Sequence, residues 1–168
     1  ISLTETTHIA QMVQDATDNF SPEYGHFKIK PHPTYSIKEV QSLLGLQETE
    51  NIEFVSGDFH DVIEKSNLLI SNSSSVCLES LAKGVPVIIV GSAIGVTQNP
   101  IPSQLAPEMW CEVHNATTLS ESVQRYNISR SDDRISFQAI GSKIRADYFN
   151  QVTIASVQNF VFGSSTDV

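Results

Sequence analysis

The stretch Leu68-Leu69-Ile70-Ser71-Asn72-Ser73-Ser74-Ser75-Val76-Cys77-Leu78-Glu79-Ser80-Leu81-Ala82-Lys83-Gly84-Val85-Pro86-Val87-Ile88-Ile89-Val90 decides the fold. Its opening apolar run, bounded by serines, reads as a buried strand, Leu68–Ser71. Leu78, Leu81 and Ala82 then recur at helical spacing, so Ser74–Lys83 reads as a helix with that face on a sheet. Gly84 and Pro86 stop the helix, and Pro86–Val90 is a second buried strand. A helix between two buried strands implies a crossover connection, hence parallel strands with right-handed chirality.

The same alternation extends outward in both directions. Further strands are expected at Ile1–Leu3, Phe27–Lys30, Ile52–Val55 and Trp110–Val113, and helices at Thr7–Asp18, Ser36–Leu44, Phe59–Lys65 and Leu119–Tyr126. Two terminal helices, Asp133–Tyr148 and Thr153–Phe162, close the chain over about 133–163. This order predicts an α/β fold with a doubly wound parallel sheet of about six strands. With the common strand order 3-2-1-4-5-6, ligands bind outside the carboxyl ends of the first and fourth strands. That geometry nominates Thr4–Thr7, Asn72–Ser75 and, after the neighbouring second strand, Pro31–Tyr35. Gly91–Pro107, with three prolines and two glycines, is the one long connection, either a functional loop or a surface excursion.

Composition narrows the function. The 168 residues, 40% of them hydrophobic, suit a single domain spanning 1–168. Ten Lys+Arg against nineteen Asp+Glu give a net charge of -9, which excludes a broad surface for nucleic acid or an anionic bilayer but not a local anion site. The apolar run Val85–Val90 falls far short of the roughly 20 residues a membrane helix needs. Cys77 and Cys111 form neither a disulfide framework nor a metal-ligand spacing, and no signal-peptide pattern opens the chain, so a cytoplasmic setting is expected. The start on Ile1-Ser2-Leu3, without Met, reads as the tail of a strand. It raises the expectation of a piece excised from a larger protein, with a processed chain as the alternative.

Three groups of residues can carry chemistry. Ser73, Ser74 and Ser75 precede a helix whose first N–H groups and positive dipole end favour an anion; the plainer role for one of them is an N-cap. Glu79, further along that helix, is placed to accept hydrogen bonds from sugar hydroxyls, although an isolated helix glutamate is usually only solvated. In Lys28-Ile29-Lys30-Pro31-His32-Pro33, two prolines fix an extended exit and hold His32 at a strand's carboxyl end. There it can donate to a phosphate or carry a proton, or serve as a surface turn residue. His8, His26, His60 and His114 show no ligand spacing, so no metal site is expected. The absence of a Walker motif, a Gly-x-Gly-x-x-Gly turn and a Gly-x-Ser-x-Gly elbow argues against P-loop hydrolysis, dinucleotide dehydrogenases and α/β-hydrolases.

Taken together, Lys30-Pro31-His32-Pro33, the run Ser71–Ser75 and Leu78-Glu79-Ser80-Leu81-Ala82-Lys83-Gly84-Val85-Pro86-Val87-Ile88 resemble the C-terminal, donor-binding half of a GT-B glycosyltransferase, a Rossmann-like domain. Trp110–Val113 and the helix at Leu119 resemble that domain's last strand and helix. The resemblance implies that Glu79 holds the nucleotide ribose. Many retaining members carry a second glutamate eight positions upstream, where this chain has Ser71. The histidine-proline and serine pair is instead similar to bacterial sialyltransferases, polysialyltransferases and CDP-glycerol glycerophosphotransferase-like enzymes, whose donors carry cytidine nucleotides. By that likeness His32 stabilises the departing phosphate, with Ser73 and Ser74 beside it and Lys30 as electrostatic support. Thr4, Thr6 and Ser75 belong to the same crevice by their place in the nominated loops.

The resemblance further implies a glycosyltransferase of surface polysaccharide or glycan biosynthesis, with no cofactor and with a CMP- or CDP-linked donor favoured over a UDP-linked one. The acceptor-binding N-terminal half would be a separate partner domain, without which this chain binds donor but transfers nothing. Peripheral membrane association would fall to that remainder. Two rivals stand beside this reading. One is a UDP-N-acetylglucosamine 2-epimerase-like isomerase, whose usual Ser-Gly-Gly turn is replaced here by serines. The other is a non-catalytic sugar- or nucleotide-binding module.

Overall fold

A computed structural model describes residues 3–17, 26–46, 48–127, 131–149, 153–154 and 156–158. Helices α1 (Leu3–Thr17), α2 (Ile37–Leu44), α3 (Phe59–Ile63), α4 (Val76–Ala82), α5 (Ala116–Asn127) and α6 (Ser131–Tyr148) alternate with strands β1 (Phe27–Ile29), β2 (Ile52–Phe54), β3 (Leu69–Ser71), β4 (Val87–Val90) and β5 (Trp110–Val113). Every strand pairing among these five is parallel. The fold is therefore the expected Rossmann-like α/β class.

The sheet differs from expectation. Among the described residues, five strands form two sheets, β1-β2 and β3-β4-β5, rather than one sheet of six. Both sets of neighbours are those the order 3-2-1-4-5-6 requires. The strand expected between them, Ile1–Leu3, is not seen: Ile1 and Ser2 lie outside the described residues, and Leu3 opens α1. Thr4–Thr7, expected as a loop, is consequently the first turn of a helix. Its Glu5 suits the positive end of the helix dipole. The end of the first expected helix, Asp18, and most of Thr153–Phe162 also lie outside the described residues; helical backbone is seen at 154 and 156–158.

The fully buried β4 shows why helices cover both faces of its sheet. Successive strand side chains point to opposite sides. Ile88 and Val90 pack with Met12 and Ala16 of α1 and with Leu119, Val123 and Tyr126 of α5. Val87 and Ile89 face the other way, onto Cys77, Leu81 and Ala82 of α4 and Ile144 of α6. Each such aliphatic side chain contributes about 1.5–3 kcal/mol by leaving water. Contact between α4 and α6 is close: a Cβ on Gly141 would stand 2.5 Å from the Gly84 nitrogen and 2.7 Å from the Leu81 carbonyl oxygen.

On the smaller sheet, Val40 of α2 packs with Ile52 and Phe54 of β2 and with Phe27 and Ile29 of β1. The start of α2 is fixed by a capping box. The Ser36 hydroxyl accepts from the Glu39 N–H at 3.2 Å, while the Glu39 carboxylate accepts from the Ser36 N–H at 2.7 Å. Those bonds to Ser36 hold the Glu39 carboxyl below the usual carboxylate range.

Candidate functional site

The site assembles where β3 runs into α4. Ser71 and Asn72 are buried, and the Asn72 carbonyl accepts from the Ser74 N–H at 2.8 Å and from the Cys77 thiol at 3.4 Å. This tight turn brings Ser73, Ser74 and Ser75 to the carboxyl end of β3. Ser75 stands at the N-cap position with φ -57° and ψ -25°, yet its side chain makes no capping bond. The plain N-cap role is thus not the one Ser75 plays. Among the described residues, no hydrogen bond engages the hydroxyl of Ser73, Ser74 or Ser75.

A carboxylate that the sequence did not single out ties this turn to two other segments. Glu5, in the first turn of α1, accepts from Asn72 Nδ2 at 3.1 Å and from Ser92 Oγ at 2.6 Å. Asn72 follows β3 and Ser92 follows β4, so one side chain pins the carboxyl ends of two adjacent parallel strands to the start of α1. Thr4 and Thr6 flank Glu5 on this helix rather than lying in the loop expected of them. Asn72 is 3% exposed, and its Oδ1 has no hydrogen-bond partner. Beyond Ser92 the long connection is anchored rather than loose. The Thr97 hydroxyl accepts from the Ser92 N–H at 3.1 Å, Ile101 is buried, and Trp110 Nε1 donates to the Leu105 carbonyl at 2.8 Å. Ile94 and Val96 stand out of it, exposed.

His32 lies at the carboxyl end of β1, as expected from its two flanking prolines. Its carbonyl accepts from the Tyr35 N–H at 2.9 Å, which closes a turn with Pro33 and Thr34 in the middle. Its ring Nδ1 lies 2.8 Å from Thr34 Oγ1 and 3.3 Å from the Thr34 nitrogen. Lys30, half-buried, precedes this turn. Among the described residues, no hydrogen bond or ion pair joins Lys30 or His32 to the serine turn.

Glu79 projects from α4 toward α3, where its Oε2 lies 3.8 Å from His60 Nε2. The backbone there is set by Asp58, whose carboxylate caps α3 by accepting from the His60 N–H at 2.7 Å. No local pattern could place His60 beside Glu79, because the pairing spans two helices. Of the other histidines, His26 lies 3.1 Å from Glu53 and His114 lies 3.4 Å from Glu112. No group of three His, Cys, Asp or Glu among the described residues is arranged to hold a metal ion.

A cavity of about 230 Å³ opens at the opposite, amino ends of β3 and β4, lined in part by Lys83, Tyr126 and Arg145. Its cations are already engaged, Lys83 by Glu64 at 2.6 Å and Arg145 by the Ala82 carbonyl at 3.1 Å. The Lys83 partnership holds the Glu64 carboxyl below its usual range. The carboxyl ends of parallel strands are where ligands bind in such folds, which favours the serine turn over this cavity as a ligand site.

Residues 30–106, somewhat under half of the chain, match the family described as "Putative glycosyltransferase (DUF6716)". This stretch is glycosyltransferase-like. The glycosyltransferase-like stretch begins at Lys30 and takes in His32, Ser73, Ser74, Ser75 and Glu79, which supports glycosyl transfer as the general role. Thr4 and Thr6 lie outside it. No curated protein and no solved structure matches the chain. Among the described residues, no helix is long and apolar enough to cross a membrane.

Proposed function

We propose that this chain is the donor-binding half of a GT-B-type glycosyltransferase that builds a surface polysaccharide or other glycan. The single observation that carries the proposal is the coincidence of the family match with residues at strand carboxyl ends. His32 lies in the turn beyond β1, Ser73–Ser75 in the turn beyond β3, and Glu79 on the helix that follows. Transfer from a nucleotide donor builds negative charge on the departing phosphate while the anomeric carbon becomes oxocarbenium-like. Fixed donors aimed at that phosphate lower the barrier without a metal. In this scheme His32 and the hydroxyls of Ser73, Ser74 and Ser75 bind the phosphate, and Lys30 adds positive charge nearby. Glu79 takes the ribose hydroxyls, with His60 beside it. Thr4 and Thr6 border the crevice. The base that activates the acceptor comes from a partner domain, so this chain alone binds a CMP- or CDP-linked donor weakly and transfers nothing.

The test is a thermal-unfolding series of the 168-residue chain with CMP, CDP, UDP and GDP. A ligand that binds only the folded state raises Tm with concentration, by an amount that follows its Kd. Cytidine nucleotides are expected to raise Tm most. No rise with any of the four at millimolar concentration would overturn the proposal.

A further inference from the structure

The turn that carries His32 also determines which of its ring nitrogens holds the proton. Pro33 occupies the second position of that turn, where its fixed φ is favourable, and the residue before a proline is confined to extended backbone. His32 therefore sits at the first turn position, from which its side chain folds over the turn as an Asp or Asn does in an Asx-turn. There Nδ1 meets the Thr34 N–H at 3.3 Å and the Thr34 hydroxyl at 2.8 Å. A backbone N–H can only donate, so the nitrogen facing it is the lone-pair nitrogen. In a neutral imidazole the proton then resides on the other nitrogen, Nε2. Among the described residues, no hydrogen bond engages Nε2.

We propose that Thr34 is a positioning residue that fixes His32 in its Nε2–H form. In that form His32 presents a hydrogen-bond donor to a phosphate oxygen and does not act as a proton-abstracting base. The Thr34 hydroxyl, at the shorter distance, donates into the same Nδ1 lone pair and supplies most of the bias, because the longer backbone contact alone does not hold a single tautomer. This deepens the donor-binding proposal and rests on its assignment of His32 to the phosphate. Two consequences separate it from a merely structural turn. The tautomer is set in the free chain, before any ligand arrives. The hydroxyl of Thr34, rather than its volume, is what matters.

The experiment uses the 168-residue chain labelled with 15N in histidine, observed above neutral pH by two-bond 1H–15N correlation. His32 is expected to show a pyridine-type Nδ1 and a pyrrole-type Nε2. Thr34→Val, which keeps shape but removes the hydroxyl, is expected to shift His32 toward mixed tautomers and to weaken CDP binding roughly fivefold, the effect of one oriented hydrogen bond. Thr34→Ser is expected to restore both. A pyrrole-type Nδ1 in the wild type, or a Thr34→Val chain with unchanged tautomer and CDP affinity, overturns the inference. A pyridine-type Nδ1 in a chain that binds no CDP instead overturns the donor-binding assignment of His32, while the tautomer control by Thr34 stands.

Discussion

Removing the Glu5 carboxylate should loosen the ends of β3 and β4 from the start of α1. Glu5 accepts one hydrogen bond from the buried Asn72 side chain at 3.1 Å and one from the half-buried Ser92 hydroxyl at 2.6 Å. A hydrogen bond to a charged group contributes about 1.5–3 kcal/mol, and leaving a buried donor without an acceptor costs about 1–3 kcal/mol. Asn72 already carries an unpartnered Oδ1, so losing Glu5 would leave its side-chain amide with neither group bonded. The two bonds share one carboxylate and do not add fully, so Glu5→Ala should destabilise by about 2–4 kcal/mol. Glu5→Gln, which keeps one acceptor but loses the charge, should cost about half of that. Urea unfolding followed by circular dichroism measures the change as a shift in midpoint at constant slope. A cycle combining Glu5→Ala with Ser92→Ala should show a coupling of about 1 kcal/mol. If Glu5→Ala unfolds within about 0.5 kcal/mol of wild type, typical of an inert surface change, Glu5 does not hold these strand ends together.

Three further outcomes follow from the packing and the shifted groups. Gly141→Ala drives a methyl into the backbone of Gly84 and Leu81, so it should cost about 3 kcal/mol in urea unfolding, at the upper end of overpacking effects; a neutral result would contradict the close α4–α6 contact. Burial pushes the Cys77 thiol up to about 11, so Cys77 should resist iodoacetamide in the native chain at mildly alkaline pH and react only on unfolding. Mass mapping that shows native alkylation at Cys77 would refute this. The Glu39 carboxyl is depressed by its bonds to Ser36, so its contribution to stability is present above the ordinary carboxylate pKa and is lost as pH falls through the depressed one. Carboxyl NMR should find Glu39 titrating below an ordinary glutamate and returning to the ordinary range in Ser36→Ala.

The strand run was legible because it rests on local patterns. Apolar runs bounded by Ser71, Pro86 and Val113 ended within a residue of β3, β4 and β5, and the helix expected over Ser36–Leu44 matches α2 with Ser36 as its cap. The beginning of the chain misled for an equally physical reason. Thr4, Thr6 and Thr7 have weak helix propensity, so Leu3 looked like a strand end rather than a helix start. What secures that first turn is the contact of Glu5 with residues 67 and 87 positions away, which no local pattern encodes. The same limit explains the site. His32, Ser73–Ser75 and Glu79 stood out by motif, whereas Glu5, Ser92 and His60 matter only through partners brought together by the fold. Thr34 is the exception, since a residue two places after a proline-flanked histidine is within reach of its ring.

The most direct test of donor binding at this crevice is a residue-resolved NMR titration of the 15N-labelled chain with CDP, for wild type and His32→Ala. Donor binding predicts saturable amide shifts at His32, Thr34, Ser73, Ser74, Ser75 and Glu79 at millimolar CDP, sharply reduced in His32→Ala while the remaining spectrum is unchanged. Shifts confined to the Lys83–Arg145 cavity, or equal responses in the two proteins, would contradict it.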